Sequence, residues 1–159
     1  MSYDEDALKR ELLRDEGKRL TPYRDSLGNW TVGVGHLLLG NELMEFVDAV
    51  TGTPRKTLTE ADCAAFLAGD IADAEARLTR LLPGWRGLDD VRQRALLNLT
   101  FNLGMGLRKF MGFLRYVEDE QWPQAAAELK HSRWWKQVKA RGPRIARMIE
   151  FGLVEGKHG

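Results

Sequence analysis

The chain has 159 residues, of which 43% are hydrophobic and 30% are charged, so it has the composition of a globular protein and not of a disordered or low-complexity one. Its single cysteine, Cys63, excludes an internal disulfide and a cysteine-based zinc site. The net charge of +1 is unevenly distributed along the chain. Residues 1–76 contain 8 basic and 15 acidic side chains, whereas residues 77–159 contain 16 basic and 8 acidic side chains. The basic half could attract a polyanion such as a nucleic acid, a membrane or a cell wall, or its charges could simply be solvated or paired.

The sequence shows no signal for export. Its first residues are acidic, where a signal peptide would be basic and then apolar. The longest uncharged stretch, residues 95–107, has 13 residues, whereas a membrane-spanning helix needs about 20. We therefore expect a soluble chain that is made in the cytoplasm and has no signal peptide.

The N-terminal third mixes a helix with strands. Leu8 and Leu12 are four residues apart and predict a helix over residues 5–15. Residues 20–38 are rich in Thr, Tyr, Trp, Val and Gly and predict a β-hairpin that turns at Ser26–Asn29, with Pro22 indicating an edge strand. A short helix is predicted over Glu42–Ala49.

A long helix is predicted over Glu60–Leu82. Thr59 is a good N-cap residue, and Asp62 follows three positions later, as in a capping box. Apolar side chains recur at spacings of three and four along one face, namely at Cys63, Leu67, Ile71, Ala74, Leu78 and Leu81.

Shorter helices complete the chain. They are predicted over Asp89–Leu103, Leu107–Glu118, Pro123–Leu129, Ser132–Val138 and Pro143–Phe151. The whole is a mostly helical α+β fold in one domain. Within it we expect a small lobe at about 14–58, a bridging helix at about 60–82, and a helical lobe at about 83–159 against which the 5–15 helix packs.

Several kinds of site lack support in this sequence. The histidines His36, His131 and His158 are scattered, so no metal site is expected. Gly33-Val34-Gly35 is not followed by the third glycine of a dinucleotide-binding loop, so no cofactor is expected.

Two carboxylates and a hydroxyl flank the predicted hairpin. Glu16 ends the first helix, and Asp25 and Thr31 lie on either side of the turn. A three-residue loop, Leu27–Asn29, would pair Asp25 with Thr31 on one side, whereas a two- or four-residue loop would put them on opposite faces. Glycoside hydrolysis needs one protonated and one ionised carboxyl, and a partly buried Glu16 is the natural acid because burial favours the neutral form. Surface carboxylates are common, however, so spacing alone does not decide.

The segment Asp15-Glu16-Gly17, Tyr23-Arg24-Asp25, Gly28 and Thr31-Val32-Gly33-Val34-Gly35-His36 resembles the active-site segment of the phage-type lysozymes, glycoside hydrolase family 24, and the T-even type in particular. The likeness covers most of the chain. It implies a lysozyme-like fold and cleavage of the β-1,4 bond between N-acetylmuramic acid and N-acetylglucosamine in peptidoglycan. By the same resemblance Glu16 is the general acid, and Asp25 with Thr31 positions the attacking water for inversion.

The resemblance implies further roles. Sugar contacts carry over to Leu37, Phe101, Phe113 and Glu128, although the last two depart from the small polar residues typical of the family. Asn102 shares a helix face with Asn98, and the two could line the cleft beside Phe101 or satisfy groups in the core. His36 is expected to pair with Asp70, and Arg144 is expected to be a charge partner of Glu16.

We therefore expect a phage or prophage endolysin that accumulates in the host cytoplasm. It would reach the wall after a separate pore-forming holin acts. We expect a monomer without a nucleic-acid partner, and we expect electrostatic contact of its basic half with the anionic wall or outer membrane. The alternatives are a lytic transglycosylase, in which no water attacks, and a catalytically inactive wall-binding homologue.

Overall fold

A computed structural model describes residues 2–154. The first part of the chain contains three helices and five short strands. They are α1 (Glu5–Glu16), β1 (Arg19–Arg24), β2 (Trp30–Gly33), β3 (His36–Leu37), α2 (Gly40–Phe46), β4 (Val47–Asp48), β5 (Thr53–Pro54) and α3 (Glu60–Leu81).

The remainder of the described chain is helical. A 3-10 turn (Trp85–Gly87) is followed by α4 (Asp90–Leu103), a second 3-10 segment (Gly104–Lys109), α5 (Met111–Glu118), α6 (Trp122–Lys130), α7 (Arg133–Val138) and α8 (Arg141–Phe151). The predicted class, a mostly helical α+β fold with a small N-terminal antiparallel sheet, is confirmed. No helix within residues 2–154 is both long and apolar enough to cross a membrane.

Two compact units make up the described chain. One contains residues 9–72, and the other contains residues 73–154 together with residues 2–8. The division falls within α1, after Leu8, and within α3, after Ala72.

The unit of residues 9–72 is built on a three-stranded antiparallel sheet in the order β1-β2-β3. The predicted hairpin is β1 and β2, and β1 is an edge strand, as Pro22 indicated. The register shifts between Arg19 and Tyr23, so an irregularity in β1 lies around Pro22. The third strand was not predicted, because His36–Leu37 is only two residues long.

The predicted helix over Glu42–Ala49 is wrong at its end. Helix α2 stops at Phe46, and Val47–Asp48 instead pairs with Thr53–Pro54. The Asp48 carboxylate accepts hydrogen bonds from the backbone N–H groups of Val50 (2.9 Å) and Thr51 (3.2 Å). Because the Asp48 side chain accepts from these N–H groups in place of helical carbonyl oxygens, the chain forms a turn after Asp48 and the helix does not continue.

Helix α3 begins as predicted. The Asp62 N–H donates to Thr59 Oγ1 (3.0 Å) and the Thr59 N–H donates to Asp62 Oδ2 (3.3 Å), which is a reciprocal capping box. The predicted apolar stripe is buried at Cys63, Ile71, Ala74 and Leu78.

The unit of residues 73–154 with residues 2–8, called the helical unit below, has its own core. Its largest fully buried side chains are Leu8, Leu78, Trp85, Leu96, Leu97, Leu99, Leu107, Phe113 and Leu129. The helix predicted over Leu107–Glu118 begins later, at Met111, because the preceding residues from Gly104 form the 3-10 segment. Gly104 adopts φ +55, which ends α4 in a conformation that favours glycine.

Candidate active site

One row of side chains crosses the three-stranded sheet. Tyr23 of β1 is opposite Thr31 of β2, and Thr31 is opposite Leu37 of β3. Directly opposed residues in antiparallel strands point to the same face. Thr31 and the predicted sugar contact Leu37 therefore lie side by side on one face, and 44% of the Leu37 surface is exposed.

The loop that joins β1 and β2 differs from the three-residue loop considered above. The strand pairing ends at Arg24 opposite Trp30, so the loop has five residues, Asp25 to Asn29. Asp25 is the first residue after β1, so strand alternation does not fix the direction of its side chain. The expected pairing of Asp25 with Thr31 is thus wrong in register, and their shared face stays a prediction.

Asp25 and Thr31 are both held by the same residue, Asn29. The Asp25 Oδ1 atom accepts from the backbone N–H groups of Asn29 and Leu27, each at 2.9 Å. The Thr31 hydroxyl donates to the Asn29 carbonyl oxygen at 3.1 Å. These bonds fix both side chains while leaving Asp25 Oδ2 and the lone pairs of the Thr31 hydroxyl as acceptors.

Glu16 ends α1, and its carboxylate lies against the turn between β2 and β3. The chain leaves the helix at Gly17, whose φ of +74 is typical of a helix-terminating glycine. A Cβ added at Gly35 would lie 2.8 Å from Glu16 Cδ and 3.0 Å from Glu16 Cγ, and it would overlap Oε2. Only a glycine at position 35 leaves room for this carboxylate.

Tyr23 is near both predicted catalytic carboxylates. Burial raises the pKa of the Tyr23 phenol, the charges of Glu16 and Asp25 raise it further, and Arg19 lowers it. The Tyr23 hydroxyl stays protonated there and can donate a hydrogen bond.

His36 lies on the opposite face of the sheet. Its partner across β2 is Val32, which neighbours Thr31 and so points the other way. Nδ1 lies 2.8 Å from Asp70 Oδ2, and Nε2 lies 2.6 Å from Glu42 Oε1. These hydrogen bonds, led by the one with Asp70, raise the pKa of His36 to about 9 although its burial opposes the rise. The contact of His36 with Asp70 that the resemblance implied is present, and Glu42 is an additional partner.

The predicted sites in the helical unit have different surroundings. Phe113 is 1% exposed and is a core residue, so its predicted role as a sugar contact is wrong. Asn102 Oδ1 accepts from Trp134 Nε1 at 2.6 Å, and Asn98 Oδ1 accepts from Arg141 Nε at 2.9 Å. Asn98 is therefore a core residue that joins α4 to α8.

Other expected contacts in this unit stay predictions. Phe101 is half-buried on α4, and Glu128 is exposed on α6. Arg144 is half-buried on α8, and its expected role as the charge partner of Glu16 stays a prediction as well.

The described residues offer no cluster of three or more His, Cys, Asp or Glu side chains that could hold a metal ion. The described residues include a carboxylate at the end of a helix, a second carboxylate in the loop of a hairpin, and a buried hydroxyl on the following strand. Such a set can donate a proton to one oxygen and orient a water molecule with another.

Sequence reasoning missed three residues of this region. Gly35 was named in the incomplete dinucleotide motif and in the lysozyme-like segment but was given no role, although a glycine near a strand also indicates a close backbone approach. Tyr23 precedes Asp25 by two positions, and this closeness in sequence could have indicated it as a neighbour. Glu42 carried no signal, because its contact with His36 depends on the fold of α2.

Comparison with known proteins places the chain in a family. Residues 14–155 match the family model for phage lysozyme. The chain is 29% identical over 164 residues to probable T4-type lysozyme 2 of Dictyostelium discoideum, covering 94% of this chain and 96% of that protein. It is also 29% identical over 159 residues to the pre-baseplate central spike protein Gp5 of Enterobacteria phage T4, covering 91% of this chain but 28% of that protein. The SAR-endolysin of Enterobacteria phage P21 is 28% identical over 79% of this chain and 72% of its own length. The chain belongs to the phage lysozyme family of glycoside hydrolases.

Proposed function

We propose that this protein is a peptidoglycan hydrolase that cleaves the β-1,4 bond between N-acetylmuramic acid and N-acetylglucosamine with inversion. The family assignment supports the substrate class. The observations that carry the mechanism are the close approach of Glu16 to Gly35, between β2 and β3, and the hydrogen bonds through which Asn29 holds both Asp25 and Thr31.

In this mechanism Glu16 is the general acid. Its protonated carboxyl gives a proton to the glycosidic oxygen as the bond from that oxygen to the anomeric carbon breaks. The leaving sugar thus departs as a neutral alcohol. The absence of a side chain at Gly35 leaves the space that the Glu16 carboxyl occupies.

Asp25 and Thr31 act on the nucleophile. A water molecule donates one hydrogen bond to the Thr31 hydroxyl and one to Asp25, and it attacks the anomeric carbon from the face opposite the leaving oxygen. Its proton passes to Asp25 as the new carbon–oxygen bond forms. The backbone N–H groups of Leu27 and Asn29 keep the Asp25 carboxylate oriented.

Leu37 supplies an apolar surface for the sugar on the sheet face that carries Thr31. Its side chain is exposed beside Thr31, where the apolar side of a pyranose ring can pack. Phe101, Asn102 and Glu128 stay predicted sugar contacts from the resemblance, and the buried Phe113 is no longer among them.

The test is mass analysis of purified Gram-negative peptidoglycan after digestion by the wild type and by Glu16→Gln. The proposal expects reducing-end muropeptides from the wild type and none from the variant. Products lighter by one water would indicate a lytic transglycosylase and leave Asp25 without its role. No products from either protein would favour an inactive wall-binding homologue.

The basic half of the chain suggests how the protein is attracted to its substrate, the cell wall. Lys130, Arg133, Lys136, Lys139 and Arg147 are exposed within the helical unit. We propose that they attract the anionic wall or outer membrane electrostatically, so binding to isolated walls should weaken as salt rises. Binding that is unchanged by salt would exclude this attraction.

A role in host lysis is a further part of the proposal. It would require that the enzyme accumulate in the bacterial cytoplasm as a monomer and reach the wall after a holin permeabilises the membrane. Expression in a Gram-negative host with and without a pore-forming protein tests this role. Lysis that depends on the pore-forming protein is expected, and lysis without it would contradict the proposal.

A further inference from the structure

The helical unit carries exposed apolar side chains to which the proposed mechanism assigns no role. Met105 of the second 3-10 segment is 56% exposed, and Met111 at the start of α5 is 66% exposed. Phe110, which lies between them in the chain, is half-buried. Single exposed apolar side chains are common on proteins, whereas several close together indicate a binding surface.

Each of these methionines shares an exposed side of its helix with a cation. Residues three apart are aligned in a 3-10 helix, so Met105 and Arg108 lie on the same side of that segment. Residues four apart share a face of an α-helix, so Met111 and Arg115 lie together on α5. The 105–115 surface is defined here as the five exposed residues Met105, Arg108, Lys109, Met111 and Arg115.

The cations of the 105–115 surface are not neutralised by ion pairs. Residues 103–117 contain three basic residues and no acidic one. Within residues 2–154 none of Arg108, Lys109 and Arg115 forms an ion pair. Arg77 of α3 adds a further positive charge at the start of the segment, since its Nη1 atom lies 3.5 Å from the position that a Cβ at Gly104 would take.

Acidic side chains near this surface leave it positive. Glu128 of α6 adjoins it, because its Oε2 atom lies 3.2 Å from the position of a Cβ at Gly112. The acidic run Glu118–Glu120 is at the other end of α5, about 10 Å along the helix axis from Met111. That distance is about one Debye length at physiological salt, so the run is largely screened from the methionine end.

We propose that the 105–115 surface docks on an anionic phospholipid bilayer. Met105 and Met111 enter the boundary of the acyl chains, and Arg108, Lys109 and Arg115 lie at the lipid phosphates. A bilayer supplies an apolar and an anionic partner side by side, as this surface requires. The flexible methionine side chains suit fluid acyl chains, which have no fixed shape.

The methionines distinguish this partner from other polyanions. A glycan strand or a nucleic acid would satisfy the cations but leave both methionines in water. The proposal is independent of the hydrolase activity. It also differs from the attraction by Lys130, Arg133, Lys136, Lys139 and Arg147 proposed above, because it requires an apolar contact.

The first experiment is co-sedimentation of the full chain with lipid vesicles. One set of vesicles is phosphatidylcholine alone, and the other is phosphatidylcholine and phosphatidylglycerol in equal parts. Binding is expected to the second set only. Arg108→Gln with Lys109→Gln should weaken it by about ten- to thirty-fold, since each cation near an anionic surface contributes about five-fold. Lys130→Gln with Lys136→Gln removes the same charge elsewhere in the helical unit and should weaken it by at most about three-fold.

The apolar contact has its own variant and control. Met111→Ser should weaken binding by about three- to ten-fold, and adding Met105→Ser should weaken it further. Met44→Ser is the matched control, because Met44 is 65% exposed on α2 and does not belong to the 105–115 surface. All substituted side chains are exposed, so the variants should melt together with the wild type.

A second readout locates the contact. In protein labelled at its methionine methyl groups, a spin-labelled lipid in bicelles that contain phosphatidylglycerol should broaden the signals of Met105 and Met111 and leave that of Met44 sharp. The proposal is overturned if the wild type ignores phosphatidylglycerol, if it binds phosphatidylcholine equally well, or if Met111→Ser binds like Met44→Ser. Equal losses in the two lysine and arginine double variants would also overturn it, since charge anywhere on the helical unit would then suffice.

Discussion

The Glu16 carboxylate lies directly against Gly35. It occupies the space that the Cβ of any other amino acid at position 35 would need. That Cβ would overlap Oε2 and lie 2.8 Å from Cδ, closer than real Cβ atoms approach another atom. Gly35 also has φ +64, a conformation that favours glycine for reasons independent of Glu16. The proposed general acid is therefore positioned partly by the absence of a side chain.

Gly35→Ala should inactivate the enzyme by moving Glu16. A displacement of about 1 Å at a reacting group can cost about 100-fold in rate, so we expect a loss of at least about that size. Gly52→Ala is the control, since Gly52 has a similar φ of +67 but nothing lies within 4 Å of its Cβ position. Both variants should lose about 1 kcal/mol of stability, and only Gly35→Ala should lose activity. Equal activity of the two variants in a wall-clearing assay would contradict the positioning role.

Asp25→Asn should separate the charge of Asp25 from its structural role. The Asn Oδ1 can still accept from the N–H groups of Leu27 and Asn29, so stability should change by less than about 1 kcal/mol. Loss of the base should lower kcat by about 100- to 10,000-fold. Thermal denaturation and kinetics on the same preparation make the comparison. Near-normal kcat in Asp25→Asn would exclude Asp25 as the group that takes the water's proton.

The contacts of His36 predict a pH dependence of stability. Its pKa is about 9 in the folded protein against 6.5 ordinarily, so the folded state holds the proton more tightly. The resulting stabilisation is complete below about pH 6.5 and is lost as pH rises through about 9. Allowing for solvent screening, the free energy of unfolding should fall by about 2 kcal/mol across this window.

Denaturant titrations of the wild type, Glu42→Gln and Asp70→Asn at several pH values test this dependence. Asp70→Asn should flatten the pH dependence most, because the hydrogen bond with Asp70 is the largest cause of the raised pKa. Glu42→Gln should flatten it less. The same decline with pH in all three proteins would mean that another group is responsible.

Phe113→Ala should act on stability and leave sugar binding intact. The side chain is 1% exposed in the helical core, so its removal should cost about 3–5 kcal/mol. Binding of a muropeptide fragment, measured well below the variant's melting temperature, should be within about two-fold of wild type. If Phe113→Ala lost muropeptide binding but kept its stability, Phe113 would be a sugar contact and not a core residue.

The sequence predicts the helices of this protein well, because their signals are local. The Thr59 capping box and the stripe from Cys63 to Leu78 are read from spacing alone and are present in the structure. The resemblance likewise named Glu16, Asp25 and Thr31, whose catalytic roles stay predictions.

Features that depend on register or on distant packing were not predictable. The five-residue loop depends on where β1 stops pairing with β2, which alternation of residue types does not fix. Phe113 and Phe101 both belong to apolar helical patterns, and only the packed core decides that Phe113 is the fully buried one. The contact of Gly35 with Glu16 joins a helix end to a strand turn and leaves no periodic signal.

The most direct test of the central claim is the anomeric configuration of the product. A defined peptidoglycan oligosaccharide would be cleaved by the wild type while ¹H NMR follows the new reducing-end anomeric proton before mutarotation. Attack by a water held by Asp25 and Thr31, opposite a leaving group protonated by Glu16, predicts that the α-anomer appears first. First appearance of the β-anomer would show retention, and a product without a reducing end would show that no water attacks; either result would contradict the mechanism.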